Sequence, residues 1–459
     1  MADVVHTQPK DWKYVSEGGA TIVFSYVGPP NPAFNGTVLR LRKRKVSLGD
    51  QSLEIDLGDE PDDPSIVYQT KVMSRLIPPE HLPVLQTVHL ERGWLQDIAQ
   101  FHAASRPEDR IRVDTIDLSR KKGVLATDLV GGDWLAVEIK PKWGFLPVPH
   151  HLSAATKSIK TRTCRFCMHT HLRVQQGHED VTTYCPLDLF SGDEQRVVKA
   201  IDSLWDAWIA SKATVNNLKI FARGKFVKPS EASIMLADSE THTAGIDLEA
   251  LHDAFVTSLK QPLVKTPVLR ILSELQRNLD VLDIEGLSEL WRLTQTSKPL
   301  YHQSFASYMG EASEGHISTP PTSPIGVSSQ FVEFPEPNIG DWGEFVDIYT
   351  TLDKPVLDHA NPSPENLRYY VLAYLLSATF KDCSVIVKMD LLDPTRPQSI
   401  DSTPTPKFNV TIIDLDPKSI EKLRGWEKLD REIAHMYQEA SDKKMCVDAW
   451  EVPRSTVAP

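Results

Sequence analysis

Two runs rich in β-branched and aromatic residues open the chain, ATIVFSYV at 20–27 and TVLRLR at 37–42. Between them lie the turn formers Gly28-Pro29-Pro30-Asn31-Pro32 and Asn35-Gly36, so the pattern predicts a β-hairpin with a long loop. Glu17-Gly18-Gly19-Ala20 forms a small flexible link just before the first strand, where backbone can approach a ligand. A short apolar run, Trp134 to Lys140, is bounded by Gly131-Gly132 and Pro141 and predicts a buried strand. Residues 194–213 read as a helix, with Val197, Val198, Ile201, Leu204, Trp205, Trp208 and Ile209 on one face. A second helical stretch, 365–379, carries Leu367, Tyr370, Val371, Tyr374 and Leu375. Strands are expected at 383–387 and 410–415, and Leu429, Ile433, Met436 and Tyr437 mark a short C-terminal helix. From 313 to 338 the chain is dense in Ser, Thr and Pro without a core pattern, which predicts a mobile insertion. No solenoid period is present. Strands, then helices, then strands again predict an α+β protein of two lobes sharing one cleft.

Composition narrows the function. In 459 residues, Lys+Arg 50 against Asp+Glu 62 gives a net charge of 50 − 62 = −12. Such a balance argues against nucleic acid and anionic lipid as partners, because both need a positive footprint. No run reaches the roughly 18 apolar residues of a membrane span. The N-terminus lacks a secretory pattern, and 5 cysteines are too few and too odd in number for a disulfide scaffold. The expectation is an intracellular protein of the nucleus, the cytoplasm or both.

Candidate chemistry sits in separated segments. Arg40-Leu41-Arg42-Lys43-Arg44-Lys45 is the densest basic block; for Arg42 to Lys45 a solvated edge strand carries half the weight. Arg40, next to Val38 and Leu39 under the glycine link, is placed to meet nucleotide phosphate. Lys140 and Lys142 alternate around Pro141 at a strand end. Solvation is the blander reading, but Val137, Ile139, Trp143 and Phe145 make it uncomfortable, and two ammonium groups there could reach one anion. Asp382 and Asp414 each stand where an apolar run meets a loop, positions suited to a base or a Mg²⁺ ligand. Cys164-x-x-Cys167 with His169 and His171 nearby, followed by His178 and Cys185, is compatible with zinc, yet no second Cys-x-x-Cys or His pair completes four ligands at sound spacing, so cysteines buried in packing are expected. On a helix His169 and Arg173 are i, i+4 neighbours and could line an anion site. A glycine link, an inward Arg, paired lysines and two acids are the parts of phosphoryl transfer. The P-loop, protein-kinase, nucleophile-elbow and zincin motifs are all missing.

The ordered blocks EGGATIVFSY (17–26), VLRLRK (38–43), VEIKPKWGF (137–145), CRFCMH (164–169), YCPLDLFSGD (184–193), NNLKIF (216–221), SATFKDCS (377–384) and IIDLDPK (412–418) resemble the inositol-pentakisphosphate 2-kinase family. The likeness covers both ends of the chain and is weak across 229–360, a variable insertion whose Ser/Pro-rich part resembles fungal members. What the resemblance implies is a two-lobed kinase-like fold, a smaller β-rich lobe over 1–145 and a larger inositide-binding lobe over 146–459. It further implies ATP-dependent phosphorylation of the 2-hydroxyl of inositol 1,3,4,5,6-pentakisphosphate to phytate. By that resemblance Gly18, Gly19, Ala20, Arg40 and Glu138 serve the nucleotide. Asp382 is the general base, with Lys140 and Arg40 steadying the transferring group. Asp414 is the Mg²⁺ ligand, with Asp416 as a second candidate. Lys140, Lys142, His169, Arg173, Asn217, Lys418 and Lys422 hold substrate phosphates. Thr21 stands where the family often has Asn, and Arg173 and Lys422 exchange one basic type for the other.

A pentakisphosphate with about −1.5 to −2 on each group needs a cage of cations. Five anchors would fix which hydroxyl faces ATP. Basic residues gather at 40–45, 140–142, 157–173 and 418–424, which predicts an acidic exterior around one strongly positive cleft. The competing reading is a catalytically inactive inositol-polyphosphate-binding adaptor, for which Asp382 and Asp414 would have no use. A monomer is the expected state.

Overall fold

The computed structural model describes residues 2–46, 60–178, 182–236, 247–296, 335–351, 357–392 and 407–449. The chain is α+β. Its contacts divide it into two units, the first Met1–Ala136 with Phe221–Phe226 and Lys388–Leu391, the second Val137–Ile220, Val227–Val387 and Leu392–Pro459.

Unit 1 contains β1 (Ala2–Asp3), β2 (Trp12–Glu17), β3 (Thr21–Tyr26), β4 (Thr37–Lys45), α1 (Pro64–Lys71), β5 (Leu85–His89), α2 (Arg92–Phe101), α3 (Glu108–Ile111), β6 (Asp114–Ile116) and β7 (Lys122–Thr127). Its sheet runs β1-β5-β7-β4-β3-β2, with β6 on β4. Period-2 alternation explains the core. Ile22 and Phe24 of β3 face Leu41 and Leu39 of β4 across the ladder, and all are buried with Trp12, Trp94, Leu95 and Ile98. Each such side chain contributes roughly 1.5–3 kcal/mol by leaving water. The predicted hairpin of β3 and β4 forms, and Val23 pairs with Arg40. The glycine link differs from expectation: a strand precedes it, and Gly18 to Ala20 make the tight turn of a β2–β3 hairpin, closed by Gly18 N donating to Thr21 O at 2.9 Å.

A second sheet has the order β10-β9-β8-β11-β12, from β8 (Leu135–Ile139), β9 (Leu218–Ala222), β10 (Lys225–Phe226), β11 (Ser384–Met389) and β12 (Phe408–Ile413). The helices that follow unit 1 in the chain are α4 (Ala154–Lys160), α5 (Arg165–Gln175), α6 (Pro186–Leu189), α7 (Glu194–Ala210), α8 (Ala232–Met235), α9 (Leu248–Lys265), α10 (Val268–Leu279), α11 (Asp283–Thr296), α12 (Ile339–Thr351), α13 (Leu367–Asp382) and α14 (Lys422–Gln438). None is long and apolar enough to cross a membrane among the described residues.

Helix α13 is the axis of unit 2. Every residue from Tyr369 to Lys381 is buried, as expected of a helix enclosed on all sides. It runs past the predicted end at 379, which makes Asp382 its last residue rather than the first of a loop. The buried Lys381 is satisfied by Asp280 of the 279–283 turn and lies 4.1 Å from the Trp143 ring centroid. The C-terminal helix begins at Lys422, a turn and more before its predicted start. Within the stretch expected as insertion, α9 to α11 bury Leu259, Leu263, Leu272, Leu287 and Trp291. Residues 313–334 of the Ser/Pro-rich segment lie outside the described residues.

Candidate active site

In unit 1 the turn at Gly18-Gly19 is open: a Cβ at either glycine would meet nothing within 4 Å. Arg40 is half-buried, and no carboxylate pairs with it among the described residues. Its neighbours divide: Arg44 and Lys45 are exposed, as the solvated reading expects, but the strand is no edge and Arg42 and Lys43 are engaged, which corrects that reading for these two. Strand β4 is interior, paired with β3 on one side and β7 and β6 on the other. On the core face, in line with Leu39 and Leu41, the Lys43 side chain is only 1% exposed and lies 3.0 Å from Glu17 and 2.9 Å from Asp114. A cation facing a core must be paired, and Arg106 completes the knot by donating to both acids. Arg42 forks onto Asp63 at 2.6 and 2.7 Å. Burial alone would raise the Asp63 carboxyl, but Arg42 and Ser65 outweigh it and hold it down at about 2.

Unit 2 gathers most of the other candidates at the ends of three neighbouring strands. Lys140 leaves β8, Ser384 opens β11 two residues after Asp382, and Asp414 follows β12. Lys140 Nζ lies 3.2 Å from Asp414 Oδ2. Asp382 accepts from Lys418 at 2.8 Å and faces Lys142 Nζ at 3.5 Å. Ser384 Oγ lies 2.9 Å from Glu138 Oε1 and 3.1 Å from Asp414 Oδ2, so its one hydrogen serves one acid at a time. Lys219 Nζ sits 3.3 Å from Glu138. Asn217 clamps the Lys140 peptide at both ends: its Nδ2 donates to Lys140 O at 3.1 Å, and its own carbonyl accepts from Lys140 N at 3.0 Å.

Two of these residues hold left-handed backbone, Lys142 at φ 66° and Asp414 at φ 61°. For a side chain other than glycine that conformation costs on the order of 1–2 kcal/mol, a strain that concentrates at functional sites. The electrostatics follow the geometry. Burial would raise the Asp382 carboxyl, yet Lys418, Lys142 and Lys140 bring it below its ordinary value. Burial pulls the Lys142 amine down, helped by Lys140 and opposed by Asp382. At Lys140 burial acts the same way, but Asp414 outweighs it and the amine is raised. His169 and Arg173 lie together on α5. Burial first, then Arg165, Arg173 and Lys142, push His169 down to about 4, so it is neutral at pH 7.

The remaining candidates join this group less closely. Asp416 is exposed, and its carbonyl rather than its carboxylate is engaged, by Thr379 Oγ1 at 3.2 Å. Lys422 is exposed at the start of α14. Lys160, in the basic block 157–173, points away from ligand work: its amine is buried among Asp283, Glu285 and Asp430. Sequence reading passed over Lys219 and Ser384. Lys219 stands two residues after Asn217, at the start of β9, so strand alternation read from Asn217 could have placed it beside that residue.

The cysteines are buried in packing as expected, and the fold also brings four of them together. Cys164, Cys167, Cys185 and Cys446 are all buried, and their sulfurs lie within 4.8 Å of one another. Cys185 Sγ is 3.9 Å from Cys164 Sγ and 3.8 Å from Cys446 Sγ. These separations exceed a disulfide bond of about 2.05 Å. They agree with four sulfurs placed tetrahedrally at about 2.3 Å from a zinc ion, which stand about 3.8 Å apart. Sequence spacing could not reveal the fourth sulfur, because Cys446 is 261 residues from Cys185.

Lysines and carboxylates interleaved at strand ends of an α+β chain have the build of a kinase that handles a highly phosphorylated small molecule. The sequence profile described as "Inositol-pentakisphosphate 2-kinase" matches residues 14–432. The chain belongs to that family. It is 32% identical over 440 residues to the inositol-pentakisphosphate 2-kinase of the fungus Cryptococcus neoformans var. neoformans serotype D, covering 93% of each chain. The proteins of the same name from Arabidopsis thaliana and Danio rerio are each 25% identical, again over 93% of both chains.

Proposed function

We propose that this chain transfers the γ-phosphoryl group of ATP to the 2-hydroxyl of inositol 1,3,4,5,6-pentakisphosphate, giving the hexakisphosphate. The observation that carries the reading is Asp382: a carboxylate kept ionised at the end of α13 and flanked by Lys142 and Lys418. Lys142, Lys418, Arg173 and His169 are suited to anchor substrate phosphates, which would draw the lysines off the carboxylate and free it to accept the hydroxyl proton. Lys140 would stabilise charge developing on the transferring group. Asp414 fits a Mg²⁺ ion, since Oδ2 is shared with Lys140 and Ser384 while Oδ1 has no partner among the described residues. When bound, that ion would neutralise charge on the nucleotide phosphates. The open Gly18-Gly19 turn and the half-buried Arg40 are suited to nucleotide phosphate. An inactive adaptor would have no use for Asp382 and Asp414 in this setting. The four-cysteine cluster is read as a structural zinc site that ties the start of α5 to the segment beyond α14.

The test is direct. With MgATP and inositol pentakisphosphate, the purified chain should form the hexakisphosphate. Asp382→Asn should lower turnover by about 10²-fold or more, the scale of a lost general base, while melting as the wild type does, because Asp382 is half-exposed. An inactive wild type, or an active Asp382→Asn, would overturn the proposal.

A further inference from the structure

Helix α10 is apolar on its packed face except for a row of polar residues spaced at i, i+3 and i+7: Ser273, Gln276 and, just past its end, Asp280. All three are buried, Ser273 and Gln276 completely. Gln276 Oε1 accepts from Gly144 N at 2.7 Å, and its Nε2 donates to Lys142 O at 3.0 Å and to Phe380 O at 2.9 Å. Both amide hydrogens are therefore used. Ser273 Oγ donates to Gly144 O at 2.9 Å, so Gly144 is held at both its N–H and its carbonyl. Ser377 of α13 returns the contact by donating to Gln276 O at 2.8 Å.

These bonds end on two segments only. One carries Lys142 in its left-handed conformation; the other is the last turn of α13, whose carbonyls have no partner within the helix and whose final residue is Asp382. A single amide nitrogen thus bridges the peptide of Lys142 and the carbonyl two residues before Asp382. Lys142 Nζ and Asp382 Oδ1, carried by these two segments, stand 3.5 Å apart.

We propose that Gln276, supported by Ser273, is a positioning residue for phosphoryl transfer: it fixes the distance and angle between a substrate-phosphate anchor, Lys142, and the base, Asp382. The inference rests on the reading of Asp382 given above. Gln276→Met preserves length and removes the three bonds made by the Gln276 side chain, to Gly144 N, Lys142 O and Phe380 O. It should lower kcat by roughly 10–100-fold, the scale of a misplacement of about 1 Å at a reacting centre, with the KM for ATP within about twofold of wild type. Leu272→Ala, buried on the same helix but touching neither segment through a hydrogen bond, controls for lost stability. Measured well below its melting temperature, it should keep kcat within about threefold despite a loss of about 2–5 kcal/mol. Should Gln276→Met not fold, Ser273→Ala decides, with a severalfold fall in kcat expected.

A Gln276→Met enzyme with wild-type kcat, or a Leu272→Ala enzyme that loses kcat by the same factor, overturns the inference. Asp382→Asn separates the two levels: if it is dead while Gln276→Met turns over normally, the positioning role alone fails. If Asp382→Asn remains active, the reading of the base fails.

Discussion

Replacing Lys160 by Met removes one charge from a buried knot and should destabilise the protein in a pH-dependent way. The Lys160 amine is 2.6 Å from Asp283, 2.8 Å from Asp430 and 2.9 Å from Glu285, and its side chain is only 3% exposed. Arg165 also contacts Asp430, at 3.1 Å. The local charge is therefore −3 + 2 = −1 with Lys160 present and −3 + 1 = −2 without it. Taking one partner out of a buried pair costs about 3–5 kcal/mol, because the remaining charges stay desolvated. Glu285 keeps donors in Ser153 N and Thr156 Oγ1, so the middle of that range, about 4 kcal/mol, is expected from a total of about 5–15.

The sign with pH follows from the acids. Burial pushes Asp283 up to about 6 even against the pull of Lys160, with Asp430 adding to the rise. Removing the lysine takes away that pull and raises Asp283 further. A group whose folded pKa lies above its unfolded value contributes stability at pH below the unfolded pKa and loses it as pH rises through the folded one. In the wild type the Lys160 amine is itself raised, since the carboxylates outweigh its burial, so its contribution is complete throughout the neutral range. Wild type and Lys160→Met should therefore differ more at about pH 8 than at about pH 5.5. Urea unfolding at both values measures this. A difference below about 1 kcal/mol, the worth of a surface pair, or one that does not change with pH, would refute the reasoning.

Two further outcomes are expected. Metal analysis of the purified protein should find about one zinc per chain, and Cys446→Ser or a strong chelator should lower the melting temperature; a metal-free protein insensitive to chelators would remove the zinc assignment. Binding of inositol pentakisphosphate near pH 6 should take up protons, because an anion neutralising Arg173 and Lys142 lets His169 rise from about 4 toward its ordinary 6.5. Calorimetry in buffers of different ionisation enthalpy reads that uptake, and an uptake unchanged in His169→Asn would assign it elsewhere.

Much of the fold was legible because its signals are local. The alternation that buries Ile22, Phe24, Leu39 and Leu41 and the 3.6-residue pattern of α7 are repeated within a few turns of chain. So is the apolar run of β8. Boundaries were less clear. Helix α13 is enclosed on every side, so no polar face marks its end, and its last turn continues to Asp382 under the grip of Gln276. Of the candidate site, Lys140, Lys142, Asp382, Asp414 and Lys418 stood at strand and helix ends, where side chains of this kind are commonly put to use, and the structure brings them together in unit 2.

Sequence by itself determined the element types, the family and the residues able to handle phosphate, since each depends on neighbours in the chain or on motifs a few residues long. It could not say which cations are free. Lys43 and Lys160 look like their neighbours in the basic blocks, yet both are neutralised by acids from distant segments, and only packing reveals that. Likewise Cys446 meets three other sulfurs, and Gln276 bonds Gly144 and Phe380, because the tertiary structure carries them to partners more than a hundred residues away. Charge and hydrogen bonding act through space, so a lysine's role is decided by whatever the fold sets within about 4 Å of it.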